Sequence, residues 1–295
     1  MKKTFSLILA AVLVAISVAG CGTKSGNTTP TPSSAPTDAS TPTPTAANLS
    51  GGVKTGGSTS VEKVMTALIY QFQADNREVT VDYEMNGSGD GIKNTISGLY
   101  ELGHSSRELK SDGSEDGLTA TAYAIDGIAV VVHKDNSIAT LTAAQLRGIY
   151  TGEITNWKEV GGSDALITVV TREEGSGTRS AFSELIGFKE AEILTSATVQ
   201  DSTGAVQTTV SQNPNAIGYI SFSDADTSKV NTVPYEGVAV SEAALKDGSY
   251  KLKREFYLLT KTGSTLSPAA QAFFDFVLSA EGQKIVSEKG LLPIR

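Results

Sequence analysis

The chain has 295 residues, of which 39% are hydrophobic and 19% charged, and carries a formal net charge of −8. That length allows one large or two medium domains with a full core. The acidic balance, with no basic run or basic-aromatic stripe, excludes a protein built to neutralise a nucleic-acid backbone, and it also means that long-range attraction does not draw an anion in.

The chain opens with Met1-Lys2-Lys3, an apolar run from Leu7 to Val18 and the small pair Ala19-Gly20 before Cys21. Residues 1–20 therefore read as a signal peptide outside the fold. Val18-Ala19-Gly20-Cys21 resembles a bacterial lipobox, so Cys21 is expected to carry lipid and anchor the chain at the membrane. As the lone cysteine it can form no internal disulfide. From Cys21 to Asn48 the composition is Thr, Pro, Ser, Ala and Asn with almost no large apolar side chain, and such a segment cannot offset its ordering entropy by burial. It reads as a tether.

Beyond the tether, Gly51 to Ser60 leads into Val61, Val64, Met65, Leu68, Ile69 and Phe72, spaced along one helical face. Thr59 with Glu62 three residues on predicts a capping box at that helix start. Val79, Val81, Tyr83 and Met85 alternate as a strand and run into Asn86-Gly87-Ser88-Gly89-Asp90-Gly91, after which Ile92 to Tyr100 reads as a second helix. A third polar turn, Gly103 to Leu109, contains Ser105-Ser106-Arg107 and ends in charges suited to a helix start. Tyr123 to Val132 is a buried strand by its β-branched content, and Leu141 to Trp157 holds a short helix with a polar loop.

Ile167, Val169 and Val170 predict the next strand, and Phe182, Leu185 and Ile186 the helix after it. Between them lies Thr171-Arg172-Glu173-Glu174-Gly175-Ser176-Gly177-Thr178, a turn of hydroxyls, glycines and one arginine. At such a turn the first helical N–H groups lack internal acceptors and the peptide dipoles converge, which suits a small anion. Glycine permits close backbone approach, Ser176 and Thr178 add hydroxyl donors, and Arg172 offers a fork matched to two oxygens of a tetrahedral oxyanion. Ile217 to Phe222 and Phe256 to Leu259 are further strands, and Ser267-Pro268 opens a last amphipathic helix. Strands alternating with helices predict a mainly parallel sheet covered on both faces, with these turns at the ligand-binding ends of the strands.

Catalytic readings find little support. The histidines are His104 and His133, with no partner arrangement that makes either a base, and no G-x-S-x-G elbow, Walker loop or metal-ligand spacing occurs. The pattern calls for no cofactor and no metal. The glycines from Gly87 to Gly91 follow G-x-G-x-G, which is not the dinucleotide fingerprint. Carboxylates near the turns, Asp90, Asp126, Glu173 and Glu174, have another use: protonated phosphate must donate its proton to an acceptor, whereas sulfate has none to donate.

Taken in order, Gly57-Ser58-Thr59-Ser60, Gly87-Ser88-Gly89, Ser105 to Leu109, Asp126 to Val130, Leu146 to Trp157, Arg172 to Thr178 and Ile217 to Ile220 resemble the phosphate-binding lipoproteins of bacterial high-affinity phosphate ABC transporters. The resemblance implies an α/β, two-lobed type II periplasmic-binding-protein fold, with mainly parallel sheets flanked by helices and a hinge between lobes. Lobe I would comprise residues 49–126 and 251–295 and lobe II residues 127–250, with crossings near Asp126 and Arg254. It implies phosphate held by Ser58, Thr59, Ser60, Ser88, Ser106, Arg172, Ser176, Gly177 and Thr178, with Glu174 orienting the arginine and Ser105, Arg107 and Asp126 as further supporting or proton-accepting candidates. Some members place an aspartate where this chain has Ser106. The implied role is capture of inorganic phosphate by a monomer on the extracytoplasmic face of the membrane and delivery to a permease, with no catalysis. Another tetrahedral oxyanion (sulfate, molybdate or tungstate) is the rival ligand, and phosphate sensing at the surface or a phosphatase the rival roles.

Overall fold

The computed structural model describes residues 49–294, so the expected signal peptide, the lipidation site Cys21 and the tether lie outside the described residues. The chain begins with β1 (Ser50–Gly57), a strand made half of glycine. It runs parallel to both β2 (Glu78–Met85) and β3 (Leu102–Ser105), and α1 (Glu62–Asp75) and α2 (Ser88–Ser97) connect the three strands. The last two glycines are a packing requirement: a Cβ at Gly56 would stand 2.6 Å from the Glu84 carbonyl oxygen and 2.8 Å from the Tyr100 ring, and one at Gly57 2.2 Å from the His104 carbonyl oxygen.

From β3 the chain passes through an irregular loop to β4 (Leu118–His133), the longest strand. Then follow α3 (Ala143–Thr151), β5 (Thr168–Arg172), α4 (Gly177–Ile186), β6 (Thr198–Gln200), α5 (Thr203–Gln212), β7 (Ala216–Ser221), β8 (Val230–Val233) and α6 (Glu242–Lys246). The return is made by β9 (Lys253–Lys261), α7 (Pro268–Leu278), α8 (Ala280–Glu288) and the short β10 (Leu292–Pro293). The strand order is β2-β1-β3-β9-β4-β7-β5-β6, with β8 and β10 also pairing with β4.

One strand therefore serves two sheets. The first half of β4 pairs with β9, and the second half with β7 and β8. The outer strands pair parallel, as the strand-helix alternation predicts, while β4 and β9 run antiparallel to their neighbours. They can do so because they do not belong to strand-helix-strand repeats: they carry the chain across and back, with Asp126 opposite Arg254 and Gly127 opposite Lys253.

Each half has its own core, the mark of a two-lobed molecule. On one side Val53, Met65, Leu68, Phe72, Tyr123, Phe256 and Phe273 are buried together, with the Phe72 and Phe273 rings 5.1 Å apart. On the other, Val130, Leu146, Trp157, Val170, Phe182, Val206 and Tyr219 form a larger cluster in which Phe182 stacks on Tyr219 at 4.2 Å. At about 1.5–3 kcal/mol for each large apolar side chain, these clusters hold the two halves independently.

Three local expectations are corrected. No capping box forms between Thr59 and Glu62: Thr59–Val61 is a separate 3-10 turn, Ser58 accepts the Ser60 N–H, and α1 starts at Glu62 without a side-chain cap. The second helix begins earlier, at Ser88, and ends at Ser97 because Gly98 adopts the left-handed conformation that terminates it. No helix follows Ser106. Instead Glu115 accepts both guanidinium contacts from Arg107, at 2.6 and 2.9 Å, and the Lys110 N–H at 2.8 Å, which organises the segment as a closed loop.

Candidate functional site

Four strand-to-helix connections meet where the two sheets part. The Ser58–Ser60 turn follows β1, Ser88 begins α2, Ser176 caps α4 by accepting the Arg179 N–H, and Thr203 begins α5 with Ser202 as its cap. Each brings N–H groups that have no partner within the helix. Their dipoles and hydroxyls share one buried volume, which makes a positive potential out of neutral groups in an acidic protein.

The hydroxyls touch one another, Ser60 and Thr178 across the lobes and Ser58, Ser88 and Ser106 within the first. Ser60 Oγ lies 2.7 Å from Thr178 Oγ1, Ser58 Oγ donates to Ser106 Oγ at 2.8 Å, and the Ser106 N–H donates to Ser88 Oγ at 3.1 Å. Gly177 fits against this group only as glycine: a Cβ there would lie 2.3 Å from Ser88 Oγ and 2.7 Å from Ser106 Oγ. At the rim, the Gly89 N–H donates to the Gly175 carbonyl at 2.8 Å. Ser58, Thr59, Ser60, Ser88, Ser106, Ser176 and Thr178 are all at most 3% exposed. Burying so many polar groups is stable only because they satisfy one another or a guest.

Two guanidiniums border the cluster. Arg172, 2% exposed, donates through Nε and Nη2 to Glu173 at 2.8 Å each and through Nη2 to the Asp201 carbonyl at 3.3 Å. The carboxylate that orients it is thus Glu173, and the expectation for Glu174 is corrected: Glu174 faces solvent, because the backbone turns outward there before re-entering at Ser176. Arg254 lies on β9, donates to both Thr178 Oγ1 at 2.7 Å and Asp126 at 3.0 and 3.2 Å, and is buried. Burial raises the Asp126 carboxyl above its ordinary range, while the Arg254 charge and a hydrogen bond from Ser221 draw it back.

The sequence-derived candidates accordingly divide. Ser58, Thr59, Ser60, Ser88, Ser106, Arg172, Ser176, Gly177 and Thr178 are brought together. Ser105 and Arg107 fall outside: Ser105 Oγ bonds within its own loop to the Arg107 backbone, and the Arg107 side chain is committed to Glu115. Asp126 stands behind the site, its oxygens engaged by Arg254 and Ser221. Sequence reasoning missed Thr203 and the ligand-side contact of Arg254. The first carried a signal, since Asp201-Ser202-Thr203-Gly204 is another hydroxyl-rich turn before a helix; the second did not, because Arg254 is distant in sequence from every turn it touches. His104 is a core residue, receiving no charge: its Nε2 lies 2.7 Å from Thr55 Oγ1, and burial lowers its pKa to about 3.

Asp224, in the 3-10 turn after β7, is a second carboxyl of this region raised by burial. Burial, with the charge of Asp126 adding, raises its pKa to about 8, against the pull of Lys63 and Arg254. Its Oδ2 has no partner. A carboxyl raised in the folded state contributes fully below its unfolded pKa near 4, and that contribution is lost as pH climbs through about 8. Asp224→Asn should therefore raise the thermal midpoint at pH 9 by a few degrees, corresponding to about 1–2 kcal/mol, and leave it unchanged near pH 4. Melting curves of both proteins at the two pH values check this; an equal shift at both would show a packing effect.

Known proteins share this architecture. A family model described as a PBP superfamily domain matches residues 30–281. The phosphate-binding protein PstS of Borreliella burgdorferi is 31% identical over 252 residues, covering 82% of this chain and 90% of that protein. Its namesake from Bacillus subtilis is 31% identical over 250 residues, covering 83% and 81%. Among solved structures, a Clostridium perfringens protein described as a phosphate ABC transporter substrate-binding protein, with bound phosphate, superposes with a TM-score of 0.80 at 42% identity, covering 83% of this chain and 100% of that one. An ABC-type phosphate transport receptor from Vibrio cholerae gives 0.69 at 32% identity, covering 81% and 99%.

Proposed function

The chain belongs to the PBP superfamily and, within it, to the substrate-binding proteins of phosphate transporters, and from this premise we propose that it captures inorganic phosphate between its lobes and hands it to a membrane permease. The observation that carries the reading is the convergence of Thr59, Ser60, Ser88 and Thr178, from three separate connections, into one buried group linked directly or through Thr203, Ser106 and Arg254, with Arg172 and Ser176 buried on the same turn as Thr178.

In this reading Arg172 supplies the charge and the helix starts supply fixed N–H and O–H donors to the phosphate oxygens. Thr178 and Ser106 complete the shell, with Ser106 as the hydroxyl able to accept the ligand proton. Asp126 and Glu173 act through the arginines they bind. We place the hinge where β4 and β9 cross, near Asp126–Gly127 and Lys253–Arg254, and take residues 49–126 and 251–295 as lobe I and 127–250 as lobe II, a division that the pairing of Asp126 with Arg254 supports. Phosphate favours the closed arrangement because dehydrated oxygens then meet donors from both lobes. Lipid on Cys21 and the tether to residue 48 would keep the binding protein near its permease. The role asks for no bond breaking, and no nucleophile-base pair is invoked.

Isothermal titration of the purified chain with phosphate, sulfate, molybdate and tungstate tests the reading. Phosphate is expected to bind tightly and in preference to the others. Because Ser106 offers a hydroxyl and no fixed charge against sulfate, the preference over sulfate rests on hydrogen-bond matching alone. Tight sulfate binding without a phosphate signal would overturn the assignment.

A further inference from the structure

Thr203 has no role in the reading above, yet it is buried at the seam between the lobes, 4% exposed. Its N–H, the first of α5 and without a partner in the helix, donates to Thr59 Oγ1 at 3.3 Å. Its hydroxyl lies 3.3 Å from Thr59 Oγ1 and 3.2 Å from Ser60 Oγ. The preceding turn is held from the other side, where Asp201 accepts Arg172 Nη2 at 3.3 Å. One short connection thus links the buried guanidinium of one lobe to the hydroxyl turn of the other.

We propose that Thr203 is a positioning residue that latches the closed lobes: it orients the Thr59 and Ser60 hydroxyls and slows release of the captured anion. The proposal rests on the phosphate reading of the site. The proton logic supports it. A hydroxyl that accepts the Thr203 N–H has its own proton left to give, so in the closed form Thr59 is presented to the captured oxyanion as a donor. The contacts join groups that separate when the lobes part. They exist only after closure, so they act on escape and not on encounter. The two contacts of the Thr203 hydroxyl are individually weak at this length, and their joint loss corresponds to about one net hydrogen bond, or a factor of five to ten, while the backbone N–H contact to Thr59 remains.

The experiment measures capture and release of radiolabelled inorganic phosphate by wild type, Thr203→Val, Thr203→Ala and Thr203→Ser. Thr203→Val keeps the shape and removes the hydroxyl. It should release phosphate about five to ten times faster, with the capture rate within about twofold. Thr203→Ser should return release to near the wild-type rate, a rescue that a purely space-filling role would not give. Thr203→Ala guards against a folding failure of the valine variant and should release at least as fast. Wild-type release by the valine and alanine variants overturns the latch, and so does a serine variant as fast as valine. Failure of wild type itself to bind phosphate would instead overturn the phosphate assignment, a separate result read in the same assay.

Discussion

Arg172→Ala is expected to weaken phosphate binding by about 2–5 kcal/mol, roughly 30-fold to several-thousand-fold in Kd, at both pH 6.5 and pH 8. The size follows from burial. Arg172 is 2% exposed, so water cannot replace the guanidinium and the anion would be left without its charged partner. The fork is already oriented: Glu173 and Asp201 engage Nε and Nη2, which leaves Nη1 for the guest. A lysine at this position keeps a positive charge but loses the fork, so Arg172→Lys should recover only part of the affinity. Glu174→Gln, at a solvent-facing position, should bind within about twofold of wild type. Titration calorimetry on the three variants checks the set, and an Arg172→Ala protein binding phosphate like wild type would remove the arginine from the site.

A single methyl group should be almost as damaging at Gly177. Its Cβ would fall 2.3 Å from Ser88 Oγ and 2.9 Å from Ser88 Cβ, with Ser106 Oγ at 2.7 Å, distances no side-chain rotation relieves together. Ser88 begins α2 and Ser106 follows β3 in the first half, whereas Gly177 begins α4 in the second, so the lobes themselves must separate to accommodate the methyl. Gly177→Ala is therefore expected to lose at least 100-fold in phosphate affinity, since closure is the step it blocks. The isolated fold should be nearly unaffected: alanine is the better helix former, and the two cores do not meet at this point. Calorimetry, thermal unfolding without ligand and small-angle scattering with and without phosphate separate these effects. Closure on phosphate addition with near-normal affinity would show that the glycine contact is not part of the closed state.

Much of the site could be recognised from local chemistry. The Arg172–Thr178 turn announces itself because a β-branched run, a polar glycine-rich bend and an amphipathic helix follow within a few residues. Ser267-Pro268 likewise marks α7, where Ser267 accepts the Ala270 N–H and proline occupies the first turn. Glu173 and Glu174 were harder to separate. Adjacent carboxylates in a turn are chemically equivalent on paper, and only the path of the backbone decides which one meets the guanidinium. The glycine-rich β1 offered no strand pattern, since its conformation is imposed by partners on both sides and by Tyr100 above it.

What the sequence determined by itself was the inventory: several anion-receptive connections, one arginine suited to an oxyanion, and enough apolar material for one large or two medium domains. These are properties of neighbours within about ten residues. Only the tertiary structure decided which connections face each other, that Thr203 joins Thr59 and Ser60 across 143 or more positions of chain, and that Arg254 reaches Thr178 from β9. The reason is physical. Hydrogen bonds between lobes depend on where β4 and β9 cross and how closely glycine lets two backbones approach, and those are consequences of packing that no short stretch of chain contains.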